Sequence, residues 1–344
     1  MARNDYPWID WFRLPAALLV IAIHTAPFAS VAPLLDVLIT YGLARTAVPF
    51  FFMTTGYFVL GSVGKDGPAA SRTYRQFLKK TCLLYGGAVL LYVPVMWYAQ
   101  KMPSSIPELL KMLVFDGTFY HLWYFPALLV GSVVTVELLT HVSRKTAAAV
   151  TGLLYVIGLL GDSYYGLTAA VPALKGFYDV LFQISSYTRN GIFYAPVFLC
   201  LGALLRQKDS RDAGAGHAAA AAAGIIVLLA ESYLTDRYGL AKHNSMYAVL
   251  PLLMYAAYPL LLKGEGTAPA LLRRGTAFLY IIHPIAILLV RGAAGVLGKE
   301  ALLVEQSLVH YAAVVLVSLL LMVYYLYAVR IIEYRKRRKA VQRR

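Results

Sequence analysis

Ten apolar windows, each near the ~18–25 residues that a ~30 Å hydrocarbon core requires, can be laid along this chain. They fall at about 9–30, 37–61, 79–99, 121–142, 147–162, 190–206, 217–236, 245–263, 276–297 and 309–332. The chain therefore reads as all-α: a polytopic membrane protein of about ten transmembrane helices in one bundle. Residues 1–332 form the membrane domain and 333–344 a basic cytoplasmic tail. Composition agrees, since 60% of residues are hydrophobic and only 14% charged, against the roughly one quarter charged of soluble domains.

The net charge of +15 does not point to nucleic acid, because the basic residues lie between the apolar runs and in the tail. They mark topology. With a cytoplasmic N-terminus, the inside segments collect Arg3, then Lys65, Arg72, Arg75, Lys79 and Lys80, then Arg144 and Lys145, then Arg206, Lys208 and Arg211, then Lys263, Arg273 and Arg274, and finally the tail from Arg330. That is most of the basic residues, the bias that the positive-inside rule describes, so both termini are expected in the cytoplasm. The first apolar run, broken by Arg13 and Pro15, lacks the form of a cleavable signal and should remain as the first span. Cys82 and Cys200 read as packing residues. Pro107 to Leu113 is short and amphipathic, fitting an interfacial helix on the outer side, and the Tyr- and Gly-rich segment from Ser163 to Thr188 fits an outer cap.

Within the first span sit Asp10, Arg13 and His24, each costing on the order of 2–3 kcal/mol at membrane depth unless partnered or wet. Eleven residues separate Arg13 from His24, about 1100° of helical rotation, so both lie on one stripe roughly 16 Å apart. A plainer reading stands beside the functional one: an arginine at the start of a span snorkels to lipid phosphates, and a buried histidine often only packs.

In this topology Arg45, His121, Asp162, Arg189, Asn190, Glu231, Asp236, His243 and Asn244 fall toward the outer ends, as does His24. Together they can line an outward pocket with His24 as base; singly, several are ordinary interfacial residues. On the cytoplasmic side Asp10 and Arg13 are one turn apart and able to pair, and Arg72-x-x-Arg75 with Lys79-Lys80 makes a cationic patch suited to phosphates or explained by topology alone. His283 is placed nearer the inner half of its span, as a packing or hydrogen-bonding residue.

Asp10-x-x-Arg13-x10-His24, Val48-Pro49-Phe50-Phe51-Phe52-Met53-x-x-Gly56-Tyr57, His121-Leu122-Trp123-Tyr124 and Tyr280-Ile281-Ile282-His283-Pro284 together resemble membrane-bound acyltransferase family 3. The resemblance implies a ten-helix core in a bacterial plasma membrane that moves acetyl or another short acyl group from cytoplasmic acyl-CoA to a hydroxyl of an extracytoplasmic glycan or similar acceptor. It implies no metal. It matches His24 to the family's essential histidine, Arg13 to its first-helix arginine, and Arg72 and Arg75 to its paired arginines near the coenzyme. On their placement in this topology, His24 is expected to act as general base or to accept the acyl group transiently, Arg45 and His121 to orient it or the oxyanion, Asp10 to serve the coenzyme with the arginines, and Arg189, Asn190 and Glu231 to meet the acceptor. Arg189-Asn190-Gly191-Ile192-Phe193 with Pro196, and His283-Pro284 leading to Arg291-Gly292, are similar to the membrane half of vancomycin-resistance serine racemases. There the resemblance implies an alternative, a transport or binding module for L-serine, with Arg45 against the carboxylate and Asp162 or Glu231 against the amine. No stretch of these 344 residues reads as a pyridoxal-phosphate-dependent racemase, so racemisation is not expected of them.

Overall fold

A computed structural model describes residues 6–63, 67, 71–207 and 213–342. Arg3, Lys65, Lys208, Arg211, Arg343 and Arg344 of the predicted basic set lie outside the described residues. The long helices are α1 (Pro7–Thr25), α2 (Ala47–Phe58), α3 (Arg72–Tyr98), α4 (Tyr124–His141), α5 (Arg144–Leu160), α6 (Pro172–Ile184), α7 (Ala195–Gln207), α8 (Ala215–Arg237), α9 (Leu250–Leu262), α10 (Leu271–Leu297) and α11 (Ser307–Gln342). No strand occurs among the described residues.

Among the described residues, seven helical stretches are long and apolar enough to cross a membrane: Pro7–Thr25, Pro33–Ser62, Arg72–Tyr98, Tyr124–His141, Ala215–Arg237, Leu271–Leu297 and Ser307–Lys336. A multi-pass membrane protein follows from them. The other predicted windows also hold helices, but α5 spans 17 residues and α7 and α9 only 13 each. The segment after Lys101 forms a short helix, Ile106–Lys111, and the Ser163–Thr188 segment contains α6. The tail continues α11 as helix to Gln342. Large apolar side chains stay uncovered on α3 and α11, with Leu90 73% and Leu320 60% exposed, as lipid-facing surfaces require. Cys82, expected to pack, is likewise exposed on α3, whereas Cys200 is buried.

The chain divides into two compact units, Met1–Thr40 with Gly264–Arg344, and Tyr41–Lys263. In the first unit, α1, α10 and α11 share a core of Ala17, Ile21, Leu279, Ala286, Ile287, Val290 and Val314. Phe278 and Tyr325 stack at 4.2 Å. At one end of this unit Ser30 and Ser307 lock together, each backbone N–H donating to the other's hydroxyl at 3.0 Å. In the second unit α2 and α7 cross at the closest backbone approach that glycine permits. A Cβ at Gly56 would collide with the carbonyl of Leu199, and one at Gly202 with the carbonyl of Met53. Such small-residue crossings let helices associate where lipid removes the hydrophobic drive between them. Phe50, Phe52, Phe198, Leu199 and Tyr258 fill in around the crossing, all fully buried.

Candidate functional site

Each unit holds its own constellation of polar side chains. In the first, α1 is continuous from Pro7 to Thr25, so the single stripe predicted for Arg13 and His24 is present as one helix. Asp10, 5% exposed, is the hub of the end nearer the N-terminus. Arg13 donates through Nε to its Oδ1 at 3.2 Å. Arg273 of α10 grips the same carboxylate from the other side, Nε to Oδ1 at 2.8 Å and to Oδ2 at 2.9 Å, and a terminal NH2 to Oδ2 at 2.6 Å. One carboxylate thus holds two guanidiniums and leaves one net positive charge. The Asp10 and Arg13 pairing matches expectation. The dominant partner, Arg273, counted in the sequence only as topology, and its sole signal was an Arg-Arg pair opening an apolar run.

Farther along the same two helices, the rings of His24 and His283 stack with centroids 5.3 Å apart and planes inclined by 20°. The two histidines therefore share one level, and His283 stands just before the midpoint of its helix. Its helix starts at Leu271, five residues before the predicted window. α1 and α10 thus run parallel, with an arginine–aspartate–arginine network early on both and a pair of imidazoles later on both.

The second constellation lies in the Tyr41–Lys263 unit, where loops gather around Asp162. This carboxylate is fully buried. Its Oδ1 accepts from the backbone N–H groups of Ser245 at 2.7 Å and Met246 at 3.0 Å and from the Ser163 hydroxyl at 3.0 Å, while Oδ2 has no protein partner. Arg189 lies over the rings of Trp123 and Tyr187, at 5.2 and 4.4 Å, and its NH1 donates to Ser245 Oγ at 3.2 Å. Arg45 lies over Tyr41 at 5.7 Å in the electrostatic neighbourhood of Tyr247, Arg189, Asp162 and Tyr194. The Nε atoms of both arginines are buried without a protein partner. Guanidinium–aromatic contacts hold such cations without neutralising them, so two cations and one carboxylate oxygen remain able to bind something else.

The neighbouring predicted residues are committed to building the loops. The Asn190 side chain donates to Ser185 Oγ at 3.2 Å and the Tyr187 carbonyl at 2.9 Å, and accepts from the Ile192 and Phe193 N–H groups at 2.9 and 3.1 Å. Glu231 accepts from Tyr164 OH at 2.7 Å and from the N–H groups of Ala248 and Val249 at 2.5 and 3.2 Å, tying α8 to the start of α9. His121, 1% exposed, sits in the turn before α4 among Tyr92, Phe119 and Tyr120. His243 packs on Tyr187 at 4.5 Å. Burial, with Arg189, Lys242 and Arg45 as nearby cations, pushes its imidazole down to about 4, so it is neutral at pH 7. Asp236 is exposed. Arg72 and Arg75 are exposed in the first turn of α3, where the helix N-terminus adds positive potential. Among the described residues no three His, Cys, Asp or Glu side chains gather as metal ligands would.

An α-helical, multi-pass membrane protein with an arginine and a histidine on its first helix is the class that fold and sites define. The profile of the acyltransferase 3 family, described as an acyltransferase domain, matches residues 6–327, and the chain belongs to that family. It is 37% identical over 329 residues to an amino-acid racemase of Enterococcus faecalis, covering 94% of this chain and 45% of that protein. A second amino-acid racemase of that organism is 38% identical over 322 residues, 91% of this chain and 45% of the relative. A serine/alanine racemase of Enterococcus gallinarum is 36% identical over 319 residues, 90% and 44% respectively. The chain thus spans less than half the length of these curated relatives. No solved structure matches it significantly.

Proposed function

We propose that this chain is a membrane O-acyltransferase that moves an acetyl or other short acyl group from cytoplasmic acyl-CoA to a hydroxyl on the far side of a bacterial plasma membrane, on a glycan or similar acceptor. The proposed topology has ten crossings and both termini in the cytoplasm, which the distribution of Lys and Arg supports. The observation that carries the reading is α1 itself, with a guanidinium cluster toward its start and an imidazole toward its end. Phosphate chemistry belongs to the first and proton transfer to the second.

In this mechanism His24 takes the proton of the acceptor hydroxyl as its oxygen attacks the thioester carbonyl. The tetrahedral intermediate collapses by breaking the carbon–sulfur bond, and the imidazolium returns the proton to the departing thiolate. The products are the acyl ester and free coenzyme A. Arg13, with Arg273 on the same carboxylate, holds phosphate oxygens of the coenzyme. Arg72 and Arg75 present the same chemistry on the second unit. A well-placed base contributes about 10²–10⁴-fold, so His24→Ala abolishes measurable acyl transfer in reconstituted vesicles while the protein stays folded. Full activity in that variant removes His24 from the chemistry.

A second reading is favoured by one specific observation, the partner-free Nε atoms of Arg45 and Arg189 and Oδ2 of Asp162 in one unit. Cations for a carboxylate and a carboxylate for an ammonium suit a zwitterionic amino acid, and the relatives are named as racemases of serine, alanine or amino acids generally. As an L-serine transport or binding module, the chain would take labelled serine into vesicles, and Arg189→Gln would abolish the uptake. Binding of a coenzyme A thioester from the cytoplasmic side favours the acyltransferase.

A further inference from the structure

His283 is fully buried, yet neither the coenzyme nor the acceptor chemistry above assigns it a task. Its neighbour in sequence explains its geometry. Pro284 lies inside α10 and has no N–H, so the carbonyl of Tyr280, four residues back, loses its usual helical donor. The His283 ring takes up that carbonyl, with Nδ1 2.8 Å from the Tyr280 oxygen. A carbonyl can only accept, so Nδ1 carries the hydrogen and the tautomer is determined. The ring held in this way is the one stacked on His24 at 5.3 Å and 20°.

We propose that His283 is the positioning residue for His24: an imidazole anchored by the proline-vacated carbonyl of Tyr280, whose face orients the His24 ring and supports it when it becomes an imidazolium. This rests on the acyl-transfer reading. A cation alongside an aromatic face gains attraction that the neutral ring does not. The stack therefore favours the charged state that His24 passes through between taking the hydroxyl proton and giving it to the thiolate. His283 itself gains and loses no proton, and the overall balance of the reaction is unchanged.

The test uses the full chain in lipid vesicles, with acetyl-CoA as donor and a sugar alcohol or L-serine as hydroxyl acceptor. His283→Phe keeps a flat ring face and retains kcat within about threefold. His283→Asn keeps a donor for Tyr280 but has no ring, and lowers kcat roughly tenfold or more at unchanged KM for acetyl-CoA. Pro284→Ala keeps the ring but restores the competing N–H, and falls between the two. Nitrogen-15 shifts of His283 report the Nδ1-protonated tautomer in the native chain and its loss in Pro284→Ala, a readout that survives if His283→Asn fails to fold. Equal loss in the Phe and Asn variants, native kcat in His283→Asn, or a ring protonated at Nε2 alone overturns the inference. The inactive His24→Ala reference keeps the two proposals apart. If His24→Ala is inactive and His283→Asn is fully active, only the role of His283 falls; if His24→Ala is fully active, the acyl-transfer reading falls and takes this one with it.

Discussion

A histidine that burial and nearby cations keep neutral behaves differently from one in water, and His243 shows how this reaches stability. Its imidazole titrates at about 4 in the folded chain against about 6.5 when unfolded. Between those values the unfolded state binds more protons, so the stabilising contribution is present above pH 6.5 and is lost as pH falls toward 4. His243→Gln flattens that acid-side decline, which thermal unfolding of the detergent-solubilised chain at pH 7, 5.5 and 4.5 would measure; an unchanged slope rules the effect out. Residues of this kind differ in how readable they are from sequence. Arg13 and His24 stand out because a charge in an apolar run is costly and therefore conspicuous. His283 does not, since one His-Pro pair in a helix looks the same whether it packs against leucine or against another imidazole. Glu231 and Asn190 show the opposite failure. They were conspicuous as polar groups near span ends, but their oxygens and nitrogens hold loops together, a task that spacing alone does not separate from binding.

Helices α2 and α7 are ordinary apolar segments by composition, and what distinguishes their pairing is the absence of two Cβ atoms. The carbonyls of Leu199 and Met53 occupy the space beside Gly56 and Gly202, so neither backbone can yield without opening the crossing. Gly56→Ala and Gly202→Ala each destabilise the chain by about 1–3 kcal/mol through overpacking, read as a lowered midpoint in thermal unfolding. Gly86→Ala on α3, where a Cβ meets nothing within 4 Å, is the clash-free control and leaves the midpoint unchanged or slightly raised. Apolar windows located these helices because hydropathy is a local property. The boundaries were less readable: α10 begins at Leu271, and α11 runs on through the basic tail to Gln342, because charged residues with good helix propensity continue a helix after it leaves lipid.

For the molecule as a whole, the proposed topology predicts opposite accessibility for two exposed positions. In a Cys82→Ala, Cys200→Ala background, a cysteine at Ser104 reacts with a membrane-impermeant maleimide on intact cells, and one at Arg335 reacts only after permeabilisation. The reverse pattern inverts the topology and with it the assignment of coenzyme and acceptor sides. By itself the sequence determined the fold class, the places where helices lie, and the residues that carry charge into apolar surroundings. Each of these follows from hydropathy and helical period over a few neighbouring turns. Only the tertiary structure decided which of those residues meet: Asp10 with Arg273 across 263 positions, the ring of His24 with that of His283, and the Asp162 carboxylate with the backbone of Ser245 and Met246. It also divided the helices into two units, of which the junction near Thr40 lies inside an apolar run and carries no mark in composition. Such pairings depend on how helices distant in sequence pack against one another, and no local pattern in the chain encodes that.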